Sequence, residues 1–321
     1  MVAEWNASER AVLAAAVTRA PSVHNTQPWR LWLRGRDASV LERVDVRLPR
    51  HDPVGRDRLI SCGAAVANLR LAVRRLGWSE RVVQFPDPAH PAEVARVVAG
   101  VALSPDEAEL ALYRAIRDRA SHRAPFGVGT VAEAVVHRLT APTALAGVRV
   151  SVVRLHECDQ VARSFHHAAL VHRADSAYQR ELAAWGARGG DDGVVEPGAS
   201  AALPWAGLVR RRTAVPDERV LSERLADEVV LVVSTVGDGR SDHLHAGMAM
   251  ERVWLTATAL GLAASVVTQP LHLPEVRRDL VEGLGLDGYP QVLLRVGYPG
   301  VVPERSPRRS FTDLLASPGP A

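Results

Sequence analysis

Two rhythms of apolar and polar positions run through the chain. In "SERAVLAAAVTR" (8–19), Val12, Leu13, Ala16 and Val17 recur three and four apart, which predicts an amphipathic helix capped by Asn6 or Ser8. "WRLWL" (29–33) and "EVVLVVSTV" (228–236) are short apolar runs of strand length. "SCGAAVANLRLAVRRLGWSERVV" (61–83) reads as a helix stopped by glycine and followed by a strand. Helical spacing returns in "VAEAVVHRLT" (131–140) and in "HHAALVHRADSAYQRELAAWGAR" (166–188).

The pattern also repeats. Residues 61–83 lie over "HAGMAMERVWLTATALGLAASVV" (245–267) without a gap, with identities at Gly63/Gly247, Ala65/Ala249, Leu71/Leu255, Leu76/Leu260, Gly77/Gly261, Val82/Val266 and Val83/Val267. "APSVHNTQPWRLWL" (20–33) has a degraded counterpart in "APTALAGVRVSVV" (141–153), again after a helical segment and before a strand. Two related halves follow, 1–110 and 111–321. Ala20 and Ala141 are 121 positions apart, whereas Gly63 and Gly247 are 184 apart. The second half therefore carries about 63 extra residues, placed around 160–225, a length typical of a lid or an interface.

Composition narrows the chemistry. With 47% hydrophobic and 23% charged residues, the 321-residue chain has the make-up of a globular protein with a real core. No apolar run approaches the roughly 18 residues of a membrane span. With no basic-then-apolar leader at the N-terminus, the expected location is the cytoplasm. Cys62 and Cys158 make no disulfide framework. All 39 basic residues are arginine, so Schiff-base chemistry and the lysine of a Walker phosphate loop are excluded. Arginine still suits phosphate, because its planar fork binds two oxygens. The net charge of +3 is spread along the chain, so a nucleic-acid-binding module ranks as a distant alternative and no nucleic-acid partner is expected.

Three motifs carry the sharpest signal: "PSVHNTQPW" (21–29), "RASHRAPF" (119–126) and "RSPRRSF" (305–311). In this order across a duplication, the chain resembles the nitroreductase superfamily of FMN-dependent proteins. It is most similar to the Acg-type branch, single chains that imitate a nitroreductase homodimer and hold one FMN. The resemblance implies an α+β, nitroreductase-like fold of two fused halves, with a monomer or at most a weak homodimer. The turn is intact only in the first half, and Arg-x-Ser-x-Arg appears only in the second, so one site can be assembled while the other has decayed.

By the same resemblance, Arg119, Ser121 and Arg123 are spaced to face one way from an extended segment toward the FMN phosphate, and Arg308 and Arg309 complete the clamp. Pro21 ends the first helix, while Ser22, Asn25 and Gln27 offer hydroxyl and amide groups to the edge of the flavin ring. Thr268 and Gln269 in "SVVTQPL" (265–271) are carried over as neighbours of the reactive edge, where a backbone N–H stabilises developing charge. No catalytic side chain is assigned. "GLGLDG" (283–288) follows a helix and precedes a strand, the reverse of a dinucleotide fingerprint. The histidines of "HHAALVH" and "HLH" lack metal-ligand spacing, so no metal is expected.

Two functions remain open at this point. One is an oxidoreductase passing electrons from NAD(P)H to a small nitro or quinone-like acceptor. The other is a flavin-sequestering protein whose 160–225 insertion covers the ring, with Tyr178, Trp185 or Trp205 filling the stacking face.

Overall fold

The computed structural model describes residues 4–141, 145–186, 190–193, 209–300 and 305–315. Helix α1 (Ala7–Thr18) begins at Asn6, whose side chain accepts from Glu9 N while Glu9 returns a carboxylate to Asn6 N. That reciprocal box satisfies two N-terminal donors, and Leu13, Ala16 and Val17 are buried as the periodicity predicts.

Strands β1 (Trp29–Arg34), β2 (Asp37–Glu42), β3 (Trp78–Gln84) and β4 (Glu93–Ala102) form an antiparallel sheet of order β1-β2-β4-β3. Helix α2 (Arg56–Arg75) joins β2 to β3. Helices α3 (Glu107–Asp118) and α4 (Glu133–Leu139) lead into a second antiparallel sheet made of β5 (Val148–Val152), β6 (Val229–Thr235), β7 (Ala263–Val267) and β8 (Tyr289–Gly297). Its order, β5-β6-β8-β7, repeats the first. Helix α8 (Arg240–Ala259) occupies the place of α2. The α+β architecture and the paired halves agree with the sequence reading. Residues 110 and 111 both lie inside α3.

The two halves meet where α2 crosses α8, and the repeated glycines explain how. A Cβ on Gly63 would lie 2.1 Å from Leu244 O, and one on Gly247 would lie 1.9 Å from Ile60 O. Only the absence of a side chain lets the backbones approach this closely. Gly77 and Gly261 serve a second purpose: with φ of +85° and +77°, each ends its helix in the left-handed region.

Between β5 and β6 lie α5 (Cys158–Ala174), α6 (Ser176–Gly186) and α7 (Glu218–Ala226), whereas β1 and β2 are joined by a two-residue turn. The single helical run read at 166–188 is in fact two helices, broken at Asp175, which accepts from Ala177 N and Tyr178 N. Trp205 lies outside the described residues, as do positions 142–144 of the second-half turn. A short helix, α9 (Pro274–Gly283), precedes β8, and α10 (Phe311–Leu314) follows it. Among the described residues, no helix is long and apolar enough to cross a membrane.

Candidate functional site

The turn after α1 is tightly wound. His24, Asn25 and Gln27 all take positive φ (47°, 53° and 47°), a conformation costing each about 1–3 kcal/mol and found mainly where function requires it. The surroundings hold it in place. Ser22 Oγ accepts from Gln27 N at 2.9 Å, and Val23 N donates to Ser61 Oγ at 3.2 Å.

Beside this turn runs a cleft with two compartments. The larger, about 690 Å³ including its open mouth, is lined by Pro21, Ser22, His24, His51, Trp254 and Thr268 among others. The smaller is lined by Arg19, Arg119, Arg123, Arg305 and Arg308, together with Asn25. Pro21, Ser22, Ser121 and Arg123 line both, so the compartments are continuous.

Segment 119–123 lies extended along β7, with His122 N donating to Ala264 O at 2.9 Å. Alternation then turns Arg119, Ser121 and Arg123 to the cleft, while His122 is buried on the other side against Phe126. Among the described residues no hydrogen bond or ion pair reaches the Arg123 guanidinium, although burial depresses its pKa. Arg308 donates to Asn25 Oδ1 at 3.0 Å. Burial first, then Arg119 and Arg19, push its guanidinium down to about 9, so it remains a cation at neutral pH. A cluster of like charges around the buried Arg119 is costly unless an anion completes it.

Several side chains predicted for the site turn elsewhere. Gln27 accepts from Arg309 N at 2.9 Å and donates to Asp191 O at 2.7 Å, which uses up its amide. The Arg309 side chain is paired with Asp192 at 2.7 Å and does not line the cleft. Gln269 is buried with its side-chain amide donated to the Tyr178 hydroxyl, while its backbone carbonyl accepts from His172 at 3.1 Å. Asn25 joins the arginine compartment instead of the wider one and also donates to Pro307 O at 3.0 Å. Pro21, Ser22, Arg119, Ser121, Arg123, Thr268 and Arg308 do line the cleft.

The structure adds residues that their sequence context concealed. Asp57 accepts from Thr268 Oγ1 at 2.6 Å and from His272 at 3.0 Å, lies 3.4 Å from His51 Nε2, and pairs with Arg56 at 3.2 Å. Burial alone would raise the Asp57 pKa, but His272 and Arg56 overcome it and hold the carboxyl well below its usual range. Burial pushes His272 down to about 4, despite the pull of Asp57, so its ring is neutral at pH 7. The donor atoms of His51, Asp57 and His272 lie within 4.8 Å of one another, as in a metal site. Here the Arg56 guanidinium, 3.5 Å from His272 Nε2, already supplies the cation beside the carboxylate. Tyr178 lies behind His51, with ring centroids 5.8 Å apart, and does not line the cleft.

The related position in the other half holds different residues. Where Thr268 meets Asp57, the residues 184 positions away are Gln84 and Ser241, and Ser241 Oγ donates to Gln84 Oε1 at 2.7 Å. His245 also contacts Gln84, and Arg240 covers the Phe85 ring at 5.2 Å.

The nitroreductase family model matches residues 116–298. A Mycobacterium tuberculosis H37Rv protein, named as a candidate NAD(P)H nitroreductase, is 36% identical over 318 residues, covering 96% of this chain and 91% of its own. Another from the same strain, the candidate NAD(P)H nitroreductase acg, is 29% identical and covers 92% of each chain. Among solved structures, a Bacteroides fragilis nitroreductase with bound FMN aligns at a TM-score of 0.41 and 15% identity, over 62% of this chain and 95% of its own. A match across more than half of the sequence, with a relative nearly as long, places this chain in the nitroreductase family.

Proposed function

We propose that the protein is an FMN-dependent oxidoreductase that draws electrons from NAD(P)H and passes them to a small nitro or quinone-like acceptor. The observation that carries this reading is Arg123: a half-buried cation with no partner among the described residues, set where the wider cleft meets four further arginines. A phosphate ester joined to a broad ring suits that arrangement. Arg19, Arg119, Arg123, Arg305 and Arg308 would hold the phosphate by charge-assisted bonds. Ser22 and Thr268 stand where they would meet the ring, and Trp254 supplies an apolar wall. Bound flavin supplies the hydride chemistry, and the protein supplies position and electrostatics.

A second reading, flavin sequestration, is favoured by the way the insertion grips the site. Glu181 of α6 accepts from Arg50 N at 3.0 Å and His51 N at 2.8 Å, and Asp175 pairs with Arg50 at 2.8 Å. Asp191 and Asp192 hold Gln27 and Arg309. Anaerobic stopped-flow mixing of FMN-loaded protein with NADPH, and separately with NADH, divides the two. Bleaching of the flavin band supports the oxidoreductase. A band that responds to dithionite and to neither nucleotide overturns it in favour of sequestration.

A further inference from the structure

Behind the arginine compartment lies a carboxylate that the proposed cofactor role does not use. Glu251, on α8, is fully buried. Its Oε1 is 3.5 Å from Arg119 Nε, and neither carboxyl oxygen has an aligned hydrogen-bond donor. Arg119 is spread across several partners: it donates to Arg19 O at 2.8 Å and lies 4.5 Å over the Trp254 ring. The Asn68 side chain, from α2, faces the same carboxyl. Its amide nitrogen donates one N–H to Ala16 O at 3.1 Å and keeps a second toward Glu251, while Asn68 Oδ1 has no donor. Three buried oxygens, Glu251 Oε1 and Oε2 and Asn68 Oδ1, therefore lack an aligned donor.

An unpaired buried acceptor is costly, and more so when it is charged. A proton on Glu251 removes part of that cost, because a carboxylic acid has an O–H to give. A phosphate group arriving among Arg19, Arg119 and Arg308 pushes in the same direction. It draws Arg119 toward itself and adds negative charge close to Glu251, both of which favour the neutral acid.

Resting on the reading of this cleft as a phosphate-ester site, we propose that Glu251 is the positioning residue of the anion compartment: it holds Arg119 before the anion arrives and takes up a proton from solvent when the anion binds. The charged groups around it are Arg119 at the end of α3, Arg308 of the C-terminal segment and, through Arg119, Arg19 at the end of α1. Burial pushes the Glu251 carboxyl up to about 7, with Arg119, Asn68 and Arg308 pulling against it, so the exchange falls in the neutral range. Ligand selectivity follows, since a ligand without the phosphate does not raise the proton affinity of Glu251.

Isothermal titration of the wild-type protein with FMN, in two buffers of different ionisation enthalpy, reads the proton count directly. A one-unit rise in the Glu251 midpoint gives an uptake of roughly 0.5 proton at pH 7.5, and an FMN affinity that falls about threefold per pH unit there. The phosphate ester itself has its second pKa near ~6, and any proton that it loses has the opposite sign. Riboflavin, the same ring without phosphate, binds with no uptake. Glu251→Gln abolishes the uptake and flattens the pH dependence, and if that variant fails to fold, the wild-type proton count decides alone. FMN binding with no proton uptake overturns the proposal and leaves the cofactor assignment standing. No FMN binding at all removes both.

Discussion

Replacing Gly247 with alanine tests the crossing that joins the two halves. The added Cβ would sit 1.9 Å from Ile60 O and 2.7 Å from Ile60 C, whereas ordinary contact begins at 3.4 Å. Backbone must therefore retreat by roughly 1.5 Å, since no flexible side chain is available to yield. Both helices are 20 residues long and buried at this level, so the strain falls at the upper end of overpacking, about 3 kcal/mol. Alanine recovers about 1 kcal/mol of helix propensity. The net loss of ~2 kcal/mol lowers Tm by roughly 3 °C in thermal unfolding followed by circular dichroism, at the ordinary unfolding entropy per residue. Gly63→Ala behaves similarly, and the double variant costs less than the sum, because one separation of the helices relieves both clashes. Weaker FMN binding accompanies the change, since α2 carries Asp57 and Ser61 while α8 carries Met250 and Trp254 into the cleft. A Gly247→Ala protein that melts within 1 °C of wild type refutes the close-approach argument.

Other outcomes follow from the cleft and its buried charges. Arg123→Gln weakens FMN by roughly 10- to 100-fold in fluorescence titration, the value of one charged hydrogen bond, and leaves riboflavin affinity nearly unchanged; equal losses for both would place Arg123 away from the phosphate. Asp57→Asn leaves Arg56 buried without its carboxylate and costs about 3–5 kcal/mol in urea unfolding, so a loss under ~1 kcal/mol would show the pair to be idle. Stability also falls as pH drops from about 6 to 4.5. Burial lowers the pKa of His24, His172, His243, His245 and His272, so the unfolded chain binds protons there that the folded one does not. Asp52 and Glu251, raised to about 6 and about 7 chiefly by burial, work in the opposite direction. The imidazoles outnumber the carboxyls, so the unfolded chain is at least about one proton ahead, a slope of at least ~1.4 kcal/mol per pH unit. Melting curves at pH 4.5, 5.25 and 6 check the sign, and a Tm that rises on acidification contradicts it.

The duplication was legible because its two halves need the same residues for the same local reasons. Gly77 and Gly261 both close helices with positive φ, and Gly63 and Gly247 both face a neighbouring backbone. The alternation in "RASHR" likewise announced which side chains share a face, and Ser121 and Arg123 do. What stayed hidden depends on distant chain. Gln27, Gln269 and Arg309 are polar residues in suggestive motifs, yet their partners Asp191, Tyr178 and Asp192 come from the insertion, whose docking no local pattern encodes. Nothing in the local sequence around Glu251 marks it for burial. Its burial comes from the packing of α2, α3 and α8 around it. Asp57 and His272 lie 215 positions apart, joined only by the closure of the cleft.

Flavin stoichiometry tests the central claim most directly. Purified protein is saturated with FMN, freed of excess, denatured, and its released flavin compared with the protein concentration. One FMN per chain, lost in parallel with the arginine compartment in Arg123→Gln, is the predicted result. A protein that retains no FMN, or retains two per chain, contradicts a single phosphate-anchored site.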